Sequence, residues 1–299
     1  MIWLIGCKGM LGYELSLLFE KSGIKYTGTD RDIDITDSAL INEFCKNKSL
    51  NWIINCAAYT AVDSAQDNED ACRDLNVKGA ANIASYAKNT GASFIHISTD
   101  YVFNGKGNLC ENSSSLRPYR EDDITSPISV YGLSKLDGEK LVVKLNPMSY
   151  IIRTSWLYGK YGKNFVLTML KLFSEQNEIK VVNDQRGSPT WTLDLCAVIL
   201  ELIKSSDNGK IIPFGIYHYT NEGETTWFDF AQEIYRLAGK YSHYDRICKI
   251  IPCSSDEYPQ KAKRPVYSVL DKEKIKSNLG INIPVWEKSL KEFIKTCDL

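Results

Sequence analysis

Histidine is nearly absent: His96, His218 and His243 are the only three in 299 residues. None has metal-ligand spacing with another or with a cysteine pair, and Asp100 and Glu14 lack the company a metal needs, so no catalytic metal is expected. No Cys-x-x-Cys occurs. The nine cysteines are an odd count and sit mostly in apolar or mixed runs, which reads as reduced thiols used as small core residues. No apolar run approaches the ~20 residues that span a membrane. A net excess of charge of either sign is missing. Thirty-six basic residues face thirty-seven acidic ones for a net charge of −1, so nothing draws the chain to nucleic acid or an anionic membrane. The opening MIWLIGCKGM lacks a basic leader and meets a glycine early, unlike a signal peptide. The cytoplasm is the expected location. What remains, 43% hydrophobic and 24% charged residues, is the composition of a globular protein with a sizeable core.

Short apolar runs alternate with helical patterns from the start. Strands are expected at 2–5, 24–30, 51–58, 93–99 and 149–156. Helical patterns separate them, including a long one that ends at Gly91. This alternation predicts the α/β class, a doubly wound parallel sheet of Rossmann type covered on both faces. Beyond residue 156 the rhythm loosens. The expected division is a dinucleotide-binding domain over 1–156 and a smaller α/β C-terminal substrate domain, mainly 157–299. Part of 180–220 is expected to complete the sheet. The polar stretch 108–120 reads as an exposed loop.

The first strand runs into residues 6–12, GCKGMLG. Glycines there let backbone N–H groups approach a pyrophosphate, with the following helix dipole adding favourable charge. Asp30 lies 18 residues after Gly12, about where a carboxylate binds the ribose 2′-OH of NAD. Arg31 and Lys8 point instead to a 2′-phosphate. NADPH is favoured and NADH stays open.

Residues 129–142, SVYGLSKLDGEKLV, look surface-leaning yet place Tyr131 and Lys135 four apart on a helix. A free phenol has a pKa near ~10 and is a poor acid until tuned. A neighbouring ammonium would lower it and could also bond a cofactor ribose. Thr99 ends the strand at 93–99, where parallel sheets present ligand-facing residues, and the small Ala57 and Ala58 follow a neighbouring strand.

These motifs resemble the extended short-chain dehydrogenase/reductases, and within them the dTDP-4-dehydrorhamnose reductase family. The likeness also runs through DIT (34–36), NCAAYTAVD (55–63), STDYVF (98–103), RTSWLYG (153–159), NFVLTML (164–170), VNDQRGSPT (182–190) and KRPVYSVL (263–270), in family order across nearly the whole chain. The resemblance implies NAD(P)H-dependent reduction of the C4 keto group of a dTDP-linked sugar. Tyr131 would give the proton, Lys135 would lower its pKa and hold the nicotinamide ribose, and Thr99 would bond the substrate oxygen or the phenol. Gly6, Gly9, Met10 and Leu11 would line the pyrophosphate. Asp34 and Ile35 would flank the adenine, while Ala57, Ala58 and Tyr59 would pass along the cofactor. Thr99, Asp100 and Trp156 would touch the deoxysugar. Asn164 and Arg264 would meet the nucleotide half.

The resemblance also bears on assembly. Some members dimerise around Mg²⁺ held by glutamates. Glu14 and Glu292 match two of them, but Leu193 stands where a third ligand is expected. A monomer or a metal-free homodimer follows. The segment between Phe103 and Tyr131 is longer than the family pattern. Among rivals, a 4,6-dehydratase would need an acid where Tyr101 follows Asp100. Another nucleotide-sugar 4-ketoreductase, an epimerase, or a non-catalytic regulatory subunit on the same fold stays open.

Overall fold

The computed structural model describes residues 1–110, 115–241 and 247–297, so His243 lies outside the described residues. Its centre is a six-stranded, all-parallel sheet. The strands are β1 (Ile2–Ile5), β2 (Tyr26–Thr29), β3 (Trp52–Asn55), β4 (Ser93–Thr99) and β5 (Ser149–Thr154), with a sixth from the C-terminal half. The intervening helices are α1 (Met10–Lys21), α2 (Ser38–Cys45), α3 (Ala80–Thr90) and α4 (Val130–Leu145). The C-terminal half adds α5 (Phe165–Glu175), β6 (Glu178–Val182), α6 (Thr192–Asp207), β7 (Gly215–His218), α7 (Trp227–Lys240), β8 (Lys249–Cys253), α8 (Glu273–Leu279) and α9 (Trp286–Lys295).

Spatial order in the sheet is β7-β5-β4-β3-β1-β2. The chain leaves β1 to one side and returns to β3 on the other. That reversal opens a crevice above the carboxyl ends of β1 and β3. Strands buried on both faces must be apolar throughout, and β1 and β3 are buried at every position. The long helical stretch before Gly91 is interrupted by a π-helical turn, Asp74–Gly79, ahead of α3. Gly91, at φ 71°, ends it.

The two halves interweave. Leu195 and Ile199 of α6, Tyr217 of β7 and Ile275 of α8 join the core that holds Leu4 and Leu15. A second core gathers Phe173, Phe230, Ile234, Leu290 and Phe293. Beside it, β6 and β8 pair in parallel. The described parts of 108–120, residues 108–110 and 115–120, hold regular pairing despite their polarity. Asn108–Leu109 pairs with Leu116–Arg117, and Tyr119 is buried with its ring stacked on Phe103 at 4.1 Å. Among the described residues no helix is long and apolar enough to cross a membrane.

α4 is not a surface helix. Its buried residues fall on more than one face, and they include the acid Glu139. Arg153 of β5 meets Glu139 at 2.7 Å, with both side chains 2% exposed. Ser98 also donates to Glu139, and His218 Nε2 stands 3.3 Å from Arg153 Nη1. Removing one partner strands a buried charge, so Arg153→Met should cost about 3–5 kcal/mol in urea unfolding. Adding Glu139→Leu should restore most of it. A double variant as weak as the single one would show that packing, not charge, sets the loss.

Candidate active site

The glycine turn forms the floor of the crevice. Gly6 adopts φ +76°, and a Cβ on Gly12 would lie 2.1 Å from the Gly6 carbonyl oxygen. Only glycine lets α1 start this close to β1, which aims the first-turn N–H groups of Met10 and Leu11 into the opening. A 730 Å³ cleft runs from Gly6, Lys8 and Gly9 past Asp30, Arg31, Asp34 and Ile35 to Ala57 and Ala58. The Asp30 carboxylate accepts the Lys8 N–H at 3.1 Å and the Arg31 N–H at 2.9 Å. Asp34 accepts the Thr36 N–H, and that backbone bond holds its carboxyl below the usual range. Shared lining by Gly9, Cys56 and Ala58 joins this cleft to a second one of 450 Å³. An elongated dinucleotide fits such a cradle: glycine and alanine leave room for it, and helix N–H groups face its phosphates.

Thr99, Asp100, Tyr131, Lys135 and Trp156 all line the second cleft. Ser129 caps α4 by accepting the Gly132 N–H at 3.1 Å, which sets Tyr131 in the first turn and Lys135 one turn on. Gly132 packs against the chain of Tyr101, where a Cβ would stand 2.3 Å from its carbonyl oxygen. Tyr131 is 9% exposed and Lys135 1%. Burial pushes the phenol well above its ordinary value, and the Thr99 hydroxyl pulls it back. The expected lowering by Lys135 is not found. Lys135 Nζ donates to the Ile97 carbonyl at 2.7 Å and faces His96, and burial depresses the lysine itself to about 8. Desolvation of two neighbours on a dry helix face outweighs their mutual influence.

The other candidates separate. Asp100 Oδ1 accepts from Thr99 Oγ1 at 3.0 Å, whereas its Oδ2 is buried without a hydrogen-bond partner. Trp156 holds φ 45°, rare for an aromatic residue, and stacks on Trp227 at 3.5 Å. Two candidates make protein contacts of their own. Asn164 Oδ1 accepts the Leu167 N–H at 3.1 Å and Nδ2 donates to the Gly159 carbonyl at 2.8 Å. Its amide is engaged at both ends in capping α5. Tyr59 packs its ring beside Tyr131, Ala65 and Cys72 rather than along the cofactor cleft. Asn76 holds its backbone from both sides.

Arg264 grips Asp63 with two bonds, 2.9 and 3.3 Å, and lines a 220 Å³ pocket with Phe165 and Trp227. Sequence reasoning missed Asp63 and Trp227, whose roles emerge only when the two halves close together. It also set His96 aside, because the relevant neighbour is not a metal ligand. Glu14 faces Thr192 at 3.5 Å, and Glu292 pairs with Lys295 at 2.7 Å. Among the described residues no cluster of three or more His, Cys, Asp or Glu could hold a metal ion.

Burial pushes Asp100 up to about 6 from its ordinary 3.8. Folding then favours the protonated acid, so its contribution to stability is full below about pH 4 and is lost as pH rises to about 6. Asp100→Asn stays neutral. It should gain on the parent protein across that window, by on the order of 2–3 kcal/mol, and level off above it. Urea melts at a series of pH values measure this. A gap that does not change with pH would contradict the buried acid.

Comparison with known proteins fits this geometry. The family model for the RmlD substrate binding domain matches residues 1–299. The chain is 39% identical to a dTDP-4-dehydrorhamnose reductase of Streptomyces griseus, covering 97% of this chain and 92% of that protein. The crystal structure of a dTDP-4-dehydrorhamnose reductase from Clostridium acetobutylicum superposes with a TM-score of 0.88 at 40% identity, covering 98% of each chain. That of the Bacillus anthracis dTDP-4-dehydrorhamnose reductase, in complex with NADP, does so at 0.88 and 36%, covering 99% of each. A full-length family match, a shared fold and a crevice built from the same motifs place this chain in the RmlD family, that of the dTDP-4-dehydrorhamnose reductases.

Proposed function

We infer that this chain reduces the C4 keto group of dTDP-4-dehydro-6-deoxy-L-mannose (dTDP-4-dehydro-L-rhamnose) to dTDP-L-rhamnose with NAD(P)H. The observation that carries this reading is the convergence of Thr99, Tyr131 and Lys135 on a crevice continuous with a glycine-floored cleft. When bound, NAD(P)H supplies the hydride to C4. The chain supplies the proton, the pocket and the orientation.

Reduction turns a ketone oxygen into an alkoxide that must be neutralised as it forms. Tyr131 is the acid. Its burial suits that direction, because a phenol with a raised pKa is fully protonated at neutral pH. Thr99 shares the cleft with the phenol and would bond the substrate oxygen or the phenol. Asp100 lines the same cleft and would touch the deoxysugar there. Trp156, stiffened by its stack on Trp227, forms an apolar wall for the deoxysugar. Arg264 faces the nucleotide half. Lys135 orients the nicotinamide ribose, and Met10 and Leu11 with the glycine turn hold the pyrophosphate. Lys8 and Arg31 favour the 2′-phosphate of NADPH over NADH. The reading includes a cytoplasmic enzyme, working as a monomer or a metal-free homodimer.

Tyr131→Phe keeps the ring and removes the proton. Its turnover should fall by about 10²–10⁴ while NADPH still binds. NADPH oxidation on adding the dTDP-4-keto-sugar measures the first, and fluorescence titration the second. Near-normal turnover would reject Tyr131 as the acid. A panel of dTDP-, UDP- and GDP-linked 4-keto-sugars tests the substrate, and oxidation with none of them would sink the reductase reading. Arg31→Ala should weaken NADPH by about tenfold and leave NADH almost unchanged. Equal loss for both would remove Arg31 from the phosphate site.

A further inference from the structure

A sugar linked to a nucleoside diphosphate brings negative charge between its two halves, and that charge needs a cation. The described walls of the 450 Å³ cleft and the 220 Å³ pocket carry four: Lys135, Lys163, Lys180 and Arg264. Three of them are poorly placed. Lys135 is buried, with Nζ donating to the Ile97 carbonyl at 2.7 Å beside the catalytic phenol. Arg264 lines the pocket, but Asp63 already grips its guanidinium at 2.9 and 3.3 Å. Lys180 lines the pocket and not the cleft. Lys163 shares the cleft with Thr99, Tyr131 and Trp156. It is exposed, and among the described residues it makes no hydrogen bond or ion pair.

The bend that carries Lys163 is fastened at several points. Asn164 Nδ2 donates to the Gly159 carbonyl at 2.8 Å, closing the bend, while Oδ1 caps α5. Gly162 turns left-handed at φ +74°, which suits glycine, and a Cβ there would stand 3.6 Å from the Met10 Cβ. The ring of Tyr161 meets that of Tyr13 at 4.3 Å. The backbone of Lys163 is thus held over the start of α1, while its long stem stays free to follow a ligand.

We propose that Lys163 receives the substrate's diphosphate and selects nucleoside-diphosphate sugars over uncharged ones. The assignment rests on the reductase reading for which cavity takes the sugar. Trp227 lines both cavities, and Phe165, two residues after Lys163, lines the pocket. With the sugar against Trp156 and the nucleoside against Phe165, the diphosphate between them falls beside Lys163. The cofactor's pyrophosphate belongs elsewhere, over Gly6 and Gly9 in the 730 Å³ cleft, whose lining does not include Lys163.

Lys163→Met keeps an apolar stem and removes the charge at an exposed position, so the fold is undisturbed. Calorimetric titration of dTDP, UDP and GDP into NADPH-saturated protein reads the site without turnover. The tightest of the three should bind about tenfold more weakly to Lys163→Met, and more weakly still to Lys163→Glu. The parent's affinity should fall more steeply with added salt than that of Lys163→Met. NADPH affinity, followed by fluorescence, should not change. Equal diphosphate binding by the parent and Lys163→Met overturns the proposal. So does a matching loss for NADPH, which would give Lys163 to the cofactor, or an equal loss in Lys180→Met, which would make the effect one of general charge. A parent that binds none of the three has no such site. A loss confined to diphosphate binding, with no NADPH oxidation on any 4-keto-sugar, would keep the site and sink the reductase reading. Turnover with an unchanged KM in Lys163→Met would do the reverse.

Discussion

Burying a lysine against a strand without a carboxylate on its nitrogen is the constraint around which the crevice is organised. Desolvation penalises the ammonium heavily, so the site holds Lys135 with neutral groups, a backbone carbonyl and an imidazole. That arrangement requires α4 to lie flush against β4. Gly132 permits the approach at the Tyr101 carbonyl, and Ser134 seals the next turn by accepting from Asn76 at 2.9 Å. Moving α4 outward would admit water to Lys135 and Tyr131 together. Thr99 would then lose the phenol it faces.

Dryness has a chemical direction. A tyrosine acting as a base needs its pKa brought down, and one acting as an acid needs a proton reliably present. Here burial outweighs the other influences on Tyr131, and Asp100 next to it is also pushed toward its protonated form. The pocket suits proton donation to a ketone. The positive end of α1 suits the opposite purpose a few residues away, in the open cleft, where an anionic phosphate would be accommodated. The carboxyl end of the sheet thus presents a wet half lined by charges of both signs and a dry, buried half.

Local pattern carried much of this into the sequence. The run IWLI with its glycine turn could be read because a parallel strand buried on both faces is apolar from end to end, and SFIHIST because its Phe94, Ile95 and Ile97 lead straight to Thr99 at the ligand-facing end. Tyr131 and Lys135 could be paired because i and i+4 share a helix face. Their influence on each other could not be read, since it depends on how much water α4 retains. Asn164 is a related case. Its motif position is visible in sequence, but its work as an N-cap depends on the carbonyl of Gly159 folding back. α6 was missed, because a helix apolar on most sides gives no clear amphipathic period. The Asp63–Arg264 contact spans two hundred positions, and no local signal could announce it.

That contact has a consequence for how a nucleotide is held. Arg264 already has an anion: Asp63 fills its fork, and the same carboxylate accepts the Lys261 and Ala262 N–H groups. A diphosphate that reaches Arg264 swaps one negative partner for another, and the gain in charge attraction is only the difference between them. Discrimination then falls to the flat walls of Phe165 and Trp227, which sort guests by shape. With the pocket empty, Asp63 holds the guanidinium, so no bare guanidinium stands there.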